Sequence, residues 1–156
     1  MDLWRVSNYI TLDGEGSRRA PARWHSGGEP IVYMASATGN ALLEVLVHLQ
    51  VEDDDIPRVF TLLRITAPDD LDIPLLHTPK SHQDEAWKDD LALTRSLGDA
   101  WLRSRRSALA RVPSAILPAT FNYLLNPLHP NAVRLRIAES MLARFDRRLV
   151  PRLKIT

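Results

Sequence analysis

The chain has 156 residues, 45% of them apolar and 25% charged, with a net charge of +1 and no cysteine. That length fits one domain spanning residues 1–156, large enough to bury roughly 68–70% of its unfolded surface in a core. The composition excludes a disordered chain or a fibrous repeat. The missing cysteines exclude disulfides, a thiolate nucleophile and a Cys-based zinc site, and the near-zero charge excludes bulk attraction to nucleic acid.

Leu3-Trp4-Arg5-Val6 reads as a first short strand. Residues 13–30 hold Gly14, Gly16, Gly27 and Gly28 with Pro21 and Pro30, the pattern of a long, turn-rich loop. Ile31-Val32-Tyr33-Met34-Ala35 is the next strand. Thr38-Gly39-Asn40 opens a helix running to about Gln50. It is apolar on nearly every side, which predicts a buried helix. Glu52-Asp53-Asp54-Asp55 closes it toward solvent, and residues 58–66 form a strand bounded by Pro57 and Pro68.

Residues 67–86, with three prolines, read as loop. From Trp87 to about Arg106 the spacing predicts one helix with Trp87, Leu91, Leu97 and Trp101 on its buried side. Residues 107–111 and 114–117 read as short strands around Pro113, and residues 122–126 as an extended piece. Asn126-Pro127-Leu128-His129-Pro130 is a turn, and the tail alternates extended and helical pieces. Helices and strands do not alternate in βαβ order, so an α+β class is expected.

The first residues lack a basic and apolar leader pattern, and no uncharged apolar run approaches the ~18 residues of a membrane span. A cytoplasmic protein is therefore expected, and a reducing compartment suits the absence of cysteine. Residues 51–90 carry eleven acids against four bases, and residues 131–156 seven bases against two acids. Such asymmetry marks either two partner-facing surfaces or two solvated faces.

Glu44 is the most informative residue, because it sits in the middle of the most apolar helix. A buried, unpaired carboxylate is costly, so it needs a cation, a donor set or a wet cleft. Asn40, Glu44 and His48 recur every fourth residue and make the only polar stripe on that helix. The stripe faces either a structural hydrogen-bond network or a ligand cleft. Arg23, in Ala22-Arg23-Trp24, is its natural partner, since arginine binds carboxylates and phosphates bidentately. Tyr33 interrupts an apolar strand and is either a core ring or a site hydroxyl. Ser114 either serves a ligand or satisfies its own turn.

Other constellations fail. Gly14-x-Gly16 has no third glycine, so neither a dinucleotide fingerprint nor a P-loop is present. The five histidines (25, 48, 77, 82 and 129) show no metal-ligand spacing, so no metal is expected. Arg103, Arg105, Arg106 and the basic tail could touch RNA, but few aromatics interleave them.

Taken in order, Ala22-Arg23-Trp24, Ile31-Val32-Tyr33-Met34-Ala35 and Ala41-Leu42-Leu43-Glu44-Val45-Leu46-Val47-His48 resemble the RES domain family. Gly98-Asp99-Ala100-Trp101-Leu102, Val112-Pro113-Ser114, Asn122-Tyr123-Leu124-Leu125-Asn126-Pro127 with His129-Pro130, and Phe145-Asp146-Arg147-Arg148-Leu149 extend the match over nearly the whole chain. The chain departs from the family at Ala22 and His25, where members often carry Gly and Asn, and at Pro118-Ala119-Thr120-Phe121, which lacks a common acidic residue.

The resemblance implies a compact ADP-ribosyltransferase-like domain, a mixed sheet with flanking helices. It implies a toxin of a type II toxin–antitoxin system, paired with an Xre-like helix-turn-helix antitoxin that would supply any contact with DNA. Family members consume NAD as a substrate, not a cofactor, by hydrolysing or phosphorolysing the nicotinamide–ribose bond, and some transfer ADP-ribose to a protein. By the same resemblance Arg23, Tyr33 and Glu44 are the catalytic residues. Arg5, Arg23, Tyr33, Ser114 and Asn122 are the substrate-binding ones. Breaking the N-glycosidic bond builds positive charge on the ribose, which a fixed Glu44 carboxylate would stabilise. A non-enzymatic nucleotide- or RNA-binding toxin is the rival class, and a homodimer is the common symmetric assembly.

Overall fold

Six strands form one sheet in the order β4-β5-β2-β1-β3-β6. In chain order they are β1 (Asp2–Val6), β2 (Val32–Ala35), β3 (Val59–Thr66), β4 (Leu109–Pro113), β5 (Phe121–Leu125) and β6 (Arg136–Arg144). Among the described residues three helices accompany them: α1 (Thr38–His48), α2 (Ala86–Asp89) and α3 (Leu91–Ser104). The computed structural model describes residues 1–48, 58–146 and 148–149. The expected helix end at Gln50, the acidic run Glu52–Asp55, Arg147 and the tail from residue 150 lie outside these residues.

Every ladder between the named strands is antiparallel, where the resemblance implied a mixed sheet. Parallel pairing enters at one isolated bridge, Leu75 with Arg111, which lays the proline-rich segment along the free edge of β4. The Leu76 amide donates to the Arg111 carbonyl at 3.0 Å, and the Arg111 amide to the Pro74 carbonyl at 2.8 Å. A segment with three prolines cannot supply a full ladder of donors, so one bridge is all it makes.

Strand alternation sorts the side chains onto two faces. Leu3, Val32, Met34, Leu63, Ile65, Leu109 and Leu125 form one core, closed by Leu12, Leu71, Ile73, Ala132 and Leu135 from irregular segments and a 3-10 turn (Pro130–Arg134). Ala110, Val112, Leu124 and Tyr33 form the opposite core with Trp24, Ile31, Trp87, Trp101 and Leu102. Helices therefore cover one face and loops the other, an α+β arrangement. No helix among the described residues is long and apolar enough to cross a membrane.

Four local expectations change. The helix expected over 87–106 is two helices, because Asp90 leaves helical geometry and caps α3 by accepting from the Leu93 amide at 2.9 Å. Leu91 is 38% exposed, and the buried face of α3 is Thr94, Gly98, Trp101 and Leu102. Residues 114–117 are a turn, not a strand, since Ser114 Oγ accepts from the Ile116 and Leu117 amides at 3.1 and 3.2 Å. The C-terminal part, expected to alternate extended and helical pieces, contains the nine-residue strand β6, paired along β3.

The helix expected to be buried all round is only half covered. Ala41 and Leu46 are its buried residues, while Val47 is 57% exposed and His48 is exposed. α1 lies over β1 and β2, and Val47 on its outer side stays exposed.

Candidate functional site

Glu44 projects from α1 onto the helix-covered face of the sheet. Its Oε1 accepts a short hydrogen bond from Asn122 Nδ2 at 2.6 Å and a long one from the Ser114 hydroxyl at 3.5 Å. Asn122 sits on β5 directly opposite Ala35 of β2 and Val112 of β4. Ser114 follows β4 by one residue, and its amide donates to the Thr120 carbonyl at 2.8 Å, closing the β4–β5 connection. The half-buried carboxylate is therefore met by neutral donors on two neighbouring chain segments.

Asn122 Oδ1 is buried and has no partner. An acceptor left unpaired in a protein interior is costly unless a ligand or water donor reaches it. It lies on the same amide that holds Glu44, so acceptor oxygens of both side chains share one small region.

Tyr33, on β2, lies opposite Leu124. Its diagonal neighbour on the same face is Asn122, and such neighbours are roughly 7–8 Å apart. The Tyr33 hydroxyl is fully used. It accepts from the Trp24 amide at 3.2 Å and contacts His25 Nδ1 at 2.9 Å. Burial pushes its pKa above the ordinary value.

Arg23 does not pair with Glu44, contrary to expectation. Its Nη1 donates to the Lys88 carbonyl of α2, one of the carbonyls a helix end leaves without an internal partner. The reason lies in how its loop is pinned. The Thr94 hydroxyl donates to the Arg23 carbonyl at 2.6 Å, and Arg95 Nε to the Ala22 carbonyl at 2.9 Å. Asp99 accepts from the Ser26 amide and hydroxyl at 2.9 and 2.6 Å. Gly98 lets this happen, since a Cβ there would lie 1.7 Å from the Trp24 carbonyl oxygen. Arg23 is thus aimed along α2 and α3.

Arg5 is not brought to these residues. It pairs with Leu63 across β1 and β3, which places it on the loop-covered face, and its Nη1 donates to the Thr11 carbonyl at 3.2 Å. Burial lowers its pKa, against an opposing pull from Asp13. Of the stripe on α1, Asn40 contacts only Ser36, at 3.4 Å, and His48 is exposed, so Glu44 alone of the three reaches the sheet.

Beside Ser114 opens a cleft of about 430 Å³. Its walls are the segment with Lys80, His82, Trp87 and Lys88 on one side, and the turn through Leu117 to Phe121 on the other. Rings and aliphatic groups stand there with Lys80, Asp84 and Lys88, the last paired with Glu85 at 2.6 Å, a mixed lining suited to a flat polar ligand. Arg23 reaches this wall through Lys88. His25 is the residue the sequence reading passed over. Only its place beside Arg23 and Trp24, at a departure from the family pattern, signalled it.

The fold and the site together define a small α+β domain in which a half-buried carboxylate stands on a helix beside an open cleft. The chain belongs to the RES domain family, whose model matches residues 2–147. It is 44% identical over 140 residues to a protein of Pseudomonas putida named Toxin Res, covering 88% of this chain and 92% of that one. It is 32% identical over 156 residues to the Prs ADP-ribosylating toxin of a Sphingobium species, covering 95% and 96% of the two chains. A chain of the Mycobacterium tuberculosis MbcT–MbcA toxin–antitoxin complex superposes with a TM-score of 0.72 at 20% identity, covering 99% of this chain and 89% of that one. At that identity the likeness shows the fold alone.

Proposed function

We propose that this chain is the toxin of a type II toxin–antitoxin pair and that it drains NAD by cleaving the nicotinamide–ribose bond. The observation that carries the reading is the Glu44 carboxylate held by Asn122 at 2.6 Å beside the cleft. A carboxylate fixed in this way suits ribose hydroxyl donors and the cation that forms when a glycosidic bond breaks.

In this reading nicotinamide leaves with the bonding electron pair, which cancels its own positive charge. The ribose carbon is left with oxocarbenium character, and Glu44 stabilises it. A water or phosphate oxygen then adds at that carbon, and the water's surplus proton passes to solvent. Arg23 and Lys80 serve the pyrophosphate, and the Tyr33 ring packs beside the nicotinamide ribose. The Ser114 hydroxyl, already donating toward Glu44, keeps the carboxylate aimed. Release of nicotinamide, a neutral leaving group, calls for no metal.

An Xre-like helix-turn-helix antitoxin in the same cytoplasm would neutralise the chain. The fold neighbour was solved as a toxin–antitoxin complex, which supports an antitoxin partner. The name of the Sphingobium relative favours a second reading, transfer of ADP-ribose to a protein.

The test is nicotinamide release from NAD by the purified chain, with and without phosphate, beside Glu44→Gln. Release that disappears in the variant supports the reading, and dependence on phosphate names the acceptor. No release from antitoxin-free wild type rejects cleavage by water or phosphate. An ADP-ribosylated protein in the mass spectrum would then establish the second reading.

A further inference from the structure

His25 is 1% exposed, and both of its ring nitrogens are engaged. Nε2 lies 2.9 Å from the Ser17 carbonyl, and Nδ1 lies 2.9 Å from the Tyr33 hydroxyl. A carbonyl oxygen only accepts, so Nε2 carries a proton, and in the neutral ring Nδ1 is then the acceptor. The Trp24 amide only donates, so the Tyr33 oxygen accepts from it and the Tyr33 proton points to Nδ1. One tautomer satisfies every group in the chain Ser17–His25–Tyr33–Trp24.

We propose that His25 is a positioning residue for the reaction, acting through Tyr33 on the segment that carries Arg23. The proposal rests on the NAD-cleaving reading above. Three observations carry it. The Arg23 segment is fastened on its outer side by Thr94, Arg95 and Asp99, all from α3. Toward the sheet, the side-chain hydrogen bonds that tie it to β2 are the two at the Tyr33 hydroxyl. His25 also anchors the 3-10 turn Glu15–Arg19 through Ser17, so one imidazole joins the turn, the Arg23 segment and β2. Without an acceptor at Nδ1 the Tyr33 proton must turn away, and the Trp24 bond loses its fixed partner. Arg23 would then sample positions away from the Lys88 carbonyl, which weakens substrate binding more than the bond-breaking step.

The two amide side chains separate this role from simple core filling. An asparagine places its oxygen near Nδ1, and a glutamine places its nitrogen near Nε2. His25→Asn keeps the acceptor for Tyr33 and gives up Ser17. His25→Gln keeps the donor to Ser17 and gives up Tyr33. The loss of one such hydrogen bond corresponds to roughly a tenfold change. His25→Gln and Tyr33→Phe are therefore expected to raise KM for NAD by ~10-fold with kcat within ~3-fold. His25→Asn is expected to stay within ~3-fold of wild type in both. The double variant His25→Gln with Tyr33→Phe should be no worse than either single, because both remove the same bond.

Nitrogen NMR of the wild-type imidazole supplies a readout independent of activity, and should show the Nε2–H tautomer with an unprotonated Nδ1. An Nδ1–H tautomer overturns the proposal. So do equal effects of the Asn and Gln variants on KM, or a loss confined to thermal stability. A wild type that releases no nicotinamide overturns the functional reading and the catalytic role with it, and the tautomer then still decides whether the hydrogen bond exists.

Discussion

At the residue scale the proposed chemistry turns on one carboxylate and its neutral partners. Glu44→Gln keeps the shape and the capacity to accept from Asn122, but removes the charge. Loss of one preorganised electrostatic group costs ~10²–10³ in rate, so nicotinamide release should fall by that factor while the circular dichroism spectrum is unchanged. Asn122→Ala removes the 2.6 Å donor and leaves Glu44 with only the long Ser114 contact. A loss of ~10-fold in kcat is expected, since the carboxylate remains but its aim does not. Tyr33 carries a pH signature. Its folded-state pKa is raised from 10.0, first by burial, so folding favours the neutral phenol. That contribution is complete below the unfolded pKa and is lost as pH rises beyond it. Wild type should therefore lose denaturation free energy above about pH 10, and Tyr33→Phe should lose less over the same range. Urea midpoints across that range check it. Glu44 was legible from sequence because a lone acid in an apolar helix needs a physical reason. Its partners were less so, because Asn122 and Ser114 reach it across about 70 to 78 residues of chain, which no local pattern encodes.

At the element scale, α3 acts as the template on which the Arg23 segment is laid. Gly98→Ala tests this with an unusual sign. In a helix interior alanine is preferred to glycine by ~1 kcal/mol. Here its Cβ would meet the Trp24 carbonyl at 1.7 Å, so backbone must move. Overpacking of this kind costs ~1–3 kcal/mol, and the variant should be less stable than wild type and should raise KM for NAD. Gly39→Ala is the control, for nothing lies within 4 Å of a Cβ there and its φ is not positive. It should be neutral or stabilising by up to ~1 kcal/mol. Thermal melts of the two variants give opposite signs if the template argument holds. Elements with a strong local signal were legible, such as β2, β3 and the start of α1. The break at Asp90 was not, because capping by its side chain competes with the continuous apolar spacing on both sides. The burial of α1 was overstated for another reason. Apolar periodicity reports which residues avoid water, not whether the fold has a second layer to cover them.

At the scale of the whole molecule, one sheet separates a face that holds the fold from a face that holds the site. Loops close the first over Leu3, Leu63, Ile65 and Leu109, while helices close the second over Tyr33, Val112 and Leu124. The α+β class followed from element order. The strand order did not, because beside the neighbour pairs β1–β2 and β4–β5 it rests on β1–β3, β2–β5 and β3–β6, pairings between distant segments. This division makes a prediction about how damage spreads. Leu63 and Leu124 are both fully buried, at 0% exposure, on opposite faces. Either change to alanine removes the same side-chain volume and should cost ~2–5 kcal/mol, with Tm falling by roughly 2–4 °C per kcal/mol in a chain of this size. Function should respond differently. Leu124 stands opposite Tyr33 and two residues from Asn122, so a cavity there loosens both. Leu63 faces the loops, on the far side of the sheet from Glu44 and its partners. Measured at a temperature where both variants are folded, Leu124→Ala should lose nicotinamide-releasing activity per folded molecule, and Leu63→Ala should keep it. Equal losses would mean that the sheet transmits packing changes from either face, and that the site is not confined to the helix-covered side.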